Sequence, residues 1–103
     1  LPARRPGRTH IFHQYVVRIP KGPGGRSRDG LRRHLSAAGV ATGVYYPVPL
    51  HMQKAYLDPR YQPGDFPVTE ALAETVVSLP MHSELDEEQL EYITSNILSY
   101  INS

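Results

Sequence analysis

From Ile11 to Ile19 the odd positions are Ile11, His13, Tyr15, Val17 and Ile19, while the even positions include Gln14 and Arg18. This period of two, rich in β-branched and aromatic residues, predicts a half-buried strand. Pro20 has no N–H for a ladder and Gly22, Pro23, Gly24 and Gly25 favour turns, so the strand ends there. The period then changes. Leu31, Leu35 and Ala38 follow one another at helical spacing, with Ser27 as N-cap and Asp29 in the first turn, which predicts a helix over about Arg28 to Ala38. Gly39 suits the left-handed residue after the last turn, and Val40 can fold back on Leu35. Thr42 to Tyr46 reads as a second short strand, closed by Pro47 and Pro49.

Residues 51–56 suit a helical turn and Asp58 to Asp65 a loop. Pro67 fits the first turn of a second long helix, whose stripe is Val68, Ala71, Leu72, Thr75 and Val76. A short strand over Val77 to Leu79 is stopped by Pro80. The last helix carries a full start signal: Asp86 as N-cap, Gln89 as capping-box partner, and Leu85 with Leu90 as a hydrophobic staple. Its buried face is expected to hold Leu90, Ile93, Ile97, Leu98 and Ile101. The order of elements predicts a small α/β (α+β) sandwich, a three-stranded sheet covered by about three helices. Residues 1–9, with Pro2, Pro6 and Gly7, read as a linker, and order is expected from His10.

The chain has 103 residues and no cysteine, which suits one small domain. Disulfides, thiolate zinc sites and a thiol nucleophile are excluded, and a cytoplasmic setting is the expectation. No stretch approaches the roughly 18 apolar residues of a membrane span, and the Arg-rich start lacks the apolar region of a secretion signal. A first residue of Leu1 rather than Met suggests a piece of something longer. Nine of the eleven Lys and Arg fall within residues 1–33 beside Asp29 alone, whereas nine of the ten acids follow. Such a split fits either a phosphate-binding arm or two halves that attract each other. The spread of the cations over a tail, a strand, a loop and a helix favours the second. Glu87, Glu88 and Glu91 have a local cause, the positive end of the last helix.

Five histidines raise the question of a metal. His10 and His13 are the one close pair, and an odd spacing on a strand sends them to opposite faces, so no metal site is expected. Gly22-Pro23-Gly24-Gly25 precedes a helix but lacks the phosphate-loop order, and Pro23 removes a donor, so it reads as a turn. No G-x-S-x-G elbow marks a nucleophilic serine. Tyr45-Tyr46-Pro47-Val48-Pro49-Leu50-His51-Met52-Gln53 differs from these. It gathers two phenols, an imidazole and an amide on a proline-stiffened loop, where recognition groups commonly sit. On composition alone the tyrosines could equally pack on the sheet while His51 caps the following turn.

The motifs His13-Gln14-Tyr15-Val16-Val17-Arg18, Arg28-Asp29, Gly39 to His51, Gly64-Asp65-Phe66-Pro67, Glu70 and Leu79-Pro80-Met81-His82 with Glu84-Leu85 stand in a specific order. In that order and spacing, over residues 10–101, the chain resembles the C-terminal part of the DegT/DnrJ/StrS sugar aminotransferases. The resemblance implies the small domain of an aspartate aminotransferase (type I) fold over residues 10–103, with residues 1–9 linking it to a large N-terminal domain. It implies amino transfer, usually from glutamate, to a keto sugar on a nucleotide, in a homodimer that uses pyridoxal phosphate. The family's cofactor lysine follows a serine by three places in the large domain. Here Lys21 and Lys54 follow Arg18 and His51 instead. The resemblance therefore implies no catalytic or cofactor-binding residue in this chain and no activity in isolation. It points to Tyr45, Tyr46, His51 and Gln53 as the side facing the nucleotide sugar, with Tyr45 at a position where many members have His.

Two rival readings belong to other classes. One is a small nucleic-acid-binding module using Arg4, Arg5, Arg8, Arg26, Arg28, Arg32 and Arg33, disfavoured because no stacking aromatics are interleaved with them. The other is a self-associating interaction domain, which exposed apolar faces would favour. No membrane partner is expected.

Overall fold

The computed structural model describes residues 2–103; Leu1, the first residue of the expected linker, lies outside the described residues. The alternating segment is a strand only over Tyr15–Arg18 (β1). Just upstream Phe12 has φ +47°, its amide donates to His10 Nδ1 at 2.8 Å, and its ring stacks on that imidazole at 4.4 Å. A left-handed residue cannot continue a ladder, so Ile11 is left outside the strand and exposed. β1 pairs antiparallel with Val76–Leu79 (β2), setting Tyr15 opposite Leu79 and Val17 opposite Val77.

The third strand expected over Thr42 to Tyr46 is reduced to one bridge, so among the described residues the sheet has two strands and not three. Gly43 donates to the Ser78 carbonyl at 3.0 Å and accepts from the Ser78 amide at 2.7 Å. Pairing stops there because the Tyr45 side chain folds back over Gly43, so closely that a Cβ on the glycine would lie 2.5 Å from the ring. Pro47 then offers no N–H with which the ladder could resume.

The helix Arg28–Ala37 (α1) has the predicted ends. The Ser27 hydroxyl accepts from the Gly30 amide at 3.1 Å. Beyond Ala38, Gly39 has φ +76° and the Val40 and Gly39 amides return to the Leu35 and Ser36 carbonyls at 2.8 and 3.1 Å, a Schellman close. α1 buries Leu31 and Leu35 with Val17, Val40 and Val77, and Ile93, Ile97 and Tyr100 pack on this cluster from the last helix.

That last helix, Glu87–Asn102 (α3), has both halves of the capping box, at 2.8 and 3.2 Å. Its expected buried face is only half realised. Ile93 and Ile97 meet the core, whereas Leu90 and Leu98 are exposed because α3 packs chiefly on α1. The second long helix, Pro67–Thr75 (α2), runs directly into β2, and of its residues only Ala73 is buried. Val68 and Leu72 from the predicted stripe face outward. The expected turn over 51–56 is two 3-10 turns, Leu50–Met52 and Lys54–Tyr56, and Pro23–Gly25 forms a third. Among the described residues no helix is long and apolar enough to cross a membrane.

α3 is fastened to both ends of α1. At one end the Tyr100 hydroxyl accepts from the Ser27 amide at 3.0 Å and donates to the Ser27 carbonyl at 3.3 Å, while Arg26 donates to the Ile101 carbonyl. At the other, the Tyr92 hydroxyl donates to the Ala38 carbonyl at 2.9 Å.

The space beside Gly30 is filled by the Tyr100 hydroxyl, so a Cβ there would collide with it. Gly30→Ala gains helix propensity of about 1 kcal/mol but displaces that hydroxyl, for a net loss of about 1–3 kcal/mol. In a Tyr100→Phe background the same substitution costs less, because the colliding oxygen is gone. Urea unfolding of the four chains of this cycle measures the coupling.

Candidate functional site

The segment that follows the Gly43 bridge carries the predicted side chains. Its 3-10 turns are closed by the Met52 amide on the Pro49 carbonyl at 2.9 Å and the Tyr56 amide on the Gln53 carbonyl at 2.8 Å. Gln53 Nε2 donates to the Val48 carbonyl at 3.1 Å, which holds that side chain against its own loop. The Tyr45–Tyr46 peptide is cis, and the two rings meet edge to face at 6.4 Å. Tyr45 lies against Gly43 as the packing alternative foresaw, yet it stays 54% exposed, and Tyr46 stays 75% exposed. Both phenols therefore remain available to a ligand.

Tyr45, Tyr46, Gln53 and Tyr56 form one wall of a cleft of about 570 Å³. The opposite wall is α2, through Thr69 and Leu72. Phenol, amide and hydroxyl groups over an apolar floor can hydrogen-bond a neutral polyol and cover its ring faces. On the other side of Tyr45 lies a shallower groove of about 410 Å³, where His13, Gln14, Thr42 and Ser78 gather. Tyr45 is shared by the two.

His51 is not in the cleft. Its side chain is 8% exposed, its Nε2 lies 3.1 Å from Glu70 Oε1, and its ring tilts against Phe66 at 4.8 Å. Glu70 also accepts from the Gly64 amide at 2.8 and 3.0 Å and from the Phe66 amide at 3.3 Å. The Gly64 amide above all, then the Phe66 amide and His51, hold the Glu70 carboxyl below its ordinary 4.5 against an opposing effect of desolvation. An ionised carboxylate only accepts, so His51 Nε2 carries the hydrogen. Tyr56, Thr69 and this use of Glu70 were not foreseen. A carboxylate in the first turn after Gly64-Asp65-Phe66-Pro67 is the signal that marks Glu70, since free amides gather where a loop enters a helix.

The basic half of the chain is partly consumed within the fold. Arg28 donates to the Ala73 carbonyl at 2.8 Å and to Asp29 at 2.7 Å, Arg32 lies 3.8 Å from Asp29, and Arg26 reaches the Pro23 and Ile101 carbonyls. These arginines do not form a free phosphate-binding stripe. Among the described residues no three His, Asp or Glu side chains converge as a metal site would require.

Residues 1–98 match the DegT/DnrJ/EryC1/StrS aminotransferase family. The chain is 42% identical over 96% of its length to a pleiotropic regulatory protein of Geobacillus stearothermophilus. It is 39% identical over 94% of its length to a UDP-N-acetyl-3-dehydro-α-D-glucosamine 3-aminotransferase of Acidithiobacillus ferrooxidans. In both cases it spans about a quarter of the relative, 25% and 24%. Among solved structures, DesV of S. venezuelae in complex with a ketimine intermediate is similar over 100% of this chain and 26% of its own, with a TM-score of 0.88 and 31% identity.

The depressed Glu70 carboxyl gives the loop an acid sensitivity of definite sign. A group whose folded value lies below its unfolded one stabilises above the unfolded value, and that stabilisation is lost as pH falls through the folded value. Amide exchange at Gly64 and Phe66 is thus expected to be slow above about pH 5 and to accelerate on acidification beyond the intrinsic chemical trend. In Glu70→Gln the protection at neutral pH falls and this extra pH dependence disappears. Nuclear magnetic resonance exchange rates for the two amides provide the measurement.

Proposed function

Because the chain belongs to the DegT/DnrJ/EryC1/StrS aminotransferase family, we propose that residues 10–103 are the C-terminal small domain of a sugar-nucleotide aminotransferase. Residues 1–9 are then the connection to its large domain. The similarity to DesV, which takes in the whole of this chain and a quarter of that one, carries the reading. Tyr45, Tyr46 and Gln53 on one wall of the cleft support it, since they offer donors and acceptors suited to sugar and phosphate oxygens. His51 supports that wall from behind.

The reaction is amino transfer from glutamate to a keto sugar carried on a nucleotide, in a homodimeric enzyme. Aminotransferases of this family are in general pyridoxal-phosphate-dependent. The residues present do not fit that cofactor. Lys21 is a largely exposed side chain 3.6 Å from Glu74, Lys54 is exposed on a 3-10 turn, and neither lines the cleft. The cofactor belongs to the large domain, and this chain acts by binding and orienting the sugar nucleotide.

A chimera tests this directly. In the Acidithiobacillus ferrooxidans relative, the matched quarter is replaced by this chain, and glutamate-dependent amination of that enzyme's own keto sugar is followed. Activity is expected, and Tyr46→Ala in the chimera raises KM for the sugar nucleotide about tenfold or more with a smaller change in kcat. A folded, cofactor-loaded chimera with no activity counts against the assignment. Borohydride reduction of this chain alone with pyridoxal phosphate is expected to leave both lysines without stoichiometric label. A specific, stoichiometric adduct on Lys21 or Lys54 would overturn the placement of the cofactor.

A further inference from the structure

The two walls of the cleft come from segments far apart in sequence. Residues 45–56 supply Tyr45, Tyr46, Gln53 and Tyr56, and α2 supplies Thr69, Leu72 and Ala73. Among the described residues a single hydrogen bond joins these segments, from His51 Nε2 to Glu70 Oε1 at 3.1 Å. The bond is shielded by the Phe66 ring on the imidazole, and Tyr61 packs on Phe66 in turn at 5.6 Å. Glu70 is itself immobilised by the Gly64 and Phe66 amides, so its carboxylate is a fixed point on α2 and not a freely rotating side chain. His51 sits between Leu50 and Gln53, both of which line the cleft, and any shift of its ring moves that wall.

From this arrangement we infer that His51 and Glu70 are positioning residues: their hydrogen bond is the strut that sets the width of the cleft between Tyr46 and α2. The inference rests on the cleft being the face toward the sugar nucleotide. It assigns His51 a part other than direct contact, and gives Glu70 two tasks. One oxygen pair anchors the loop before α2, and the same carboxylate fixes the facing wall. With the imidazole buried and no other hydrogen bond between the two segments among the described residues, this charge-assisted bond selects one spacing of the walls.

The absence of cysteine makes the spacing directly measurable. Spin labels at Lys54→Cys on one wall and Val68→Cys on the other, both exposed and outside the cleft lining, report the distance by double electron–electron resonance. The parent is expected to give one narrow distribution. His51→Leu, which keeps an apolar side chain on Phe66 but loses the donor, is expected to shift it to longer distances and broaden it. Glu70→Ala should do the same, with the double variant no broader than either single one. His51→Gln, whose amide nitrogen can reach the same carboxylate, should restore much of the narrow peak. A folded His51→Leu chain with the parent distribution overturns the strut. So does a result in which Glu70→Ala alone broadens it, since that describes a loop anchor only. A further measurement needs no variant: the Nε2 proton of His51 should exchange slowly in the parent, and rapid exchange overturns the proposal. These readouts involve no activity, so an inactive chimera leaves the strut standing and a failed strut leaves the family function standing.

Discussion

Val77 is fully buried against Leu31 and Leu35, and the three are the largest side chains wholly removed from water. Each such burial contributes about 1.5–3 kcal/mol, and truncating one of the leucines to Ala costs about 2–5 kcal/mol. In a core this small the position of Val77 fixes more than stability. The residue before it, Val76, is where α2 ends and β2 begins, and the residue after it, Ser78, holds Gly43 through both bonds of the bridge. One wall of the cleft enters from Gly43 and the other is α2. Both are therefore referred to the same buried valine, and the cleft inherits its geometry from the core through two residues of β2.

Arg28 reinforces the same junction. Its guanidinium donates to the Ala73 carbonyl and lies 3.5 Å from the Val76 carbonyl, at the end of α2 where carbonyls lack helical partners. The charge asymmetry of the chain thus has an internal cause at several points. Arg26 serves the C-terminal turn of α3, Arg28 the end of α2, and Lys21 meets Glu74. The last of these is an exposed pair and contributes little, whereas Arg28, with most of its side chain covered, makes bonds that solvent does not replace.

What was legible in the sequence was whatever depends on neighbours in the chain. The Ser27 cap, the Gly39 close and the Asp86–Gln89 box involve residues within a turn of each other, and all three form as read. Strand extent was less legible. The alternation from Ile11 to Ile19 is real, but Phe12 is drawn into a left-handed turn by the His10 imidazole, and the strand begins only at Tyr15. Thr42 to Tyr46 has good strand composition, and the Tyr45 ring on Gly43 defeats it after one bridge. At the site, the structure brings Tyr45, Tyr46 and Gln53 of the predicted set to one cleft and leaves His51 out of it. The separate placement of His51 was not legible, because it depends on Glu70, nineteen residues further along the chain.

The two halves of the molecule differ in how firmly they are joined, and the difference follows from where hydrogen bonds can be spent. α1 and α3 are tied at both ends by tyrosine hydroxyls and by Arg26, in addition to the Ile93 and Ile97 contacts. The cleft walls share one bond and little burial, with Leu50, Tyr56 and Val68 all exposed. One hydrogen bond to a partly accessible carboxylate is a modest constraint beside the packing of α1 on α3. That is enough to define a resting width, and small enough for a ligand contacting both walls to adjust it within its own binding energy. A packed core thus carries a cleft whose walls are joined far more lightly than the helices around that core.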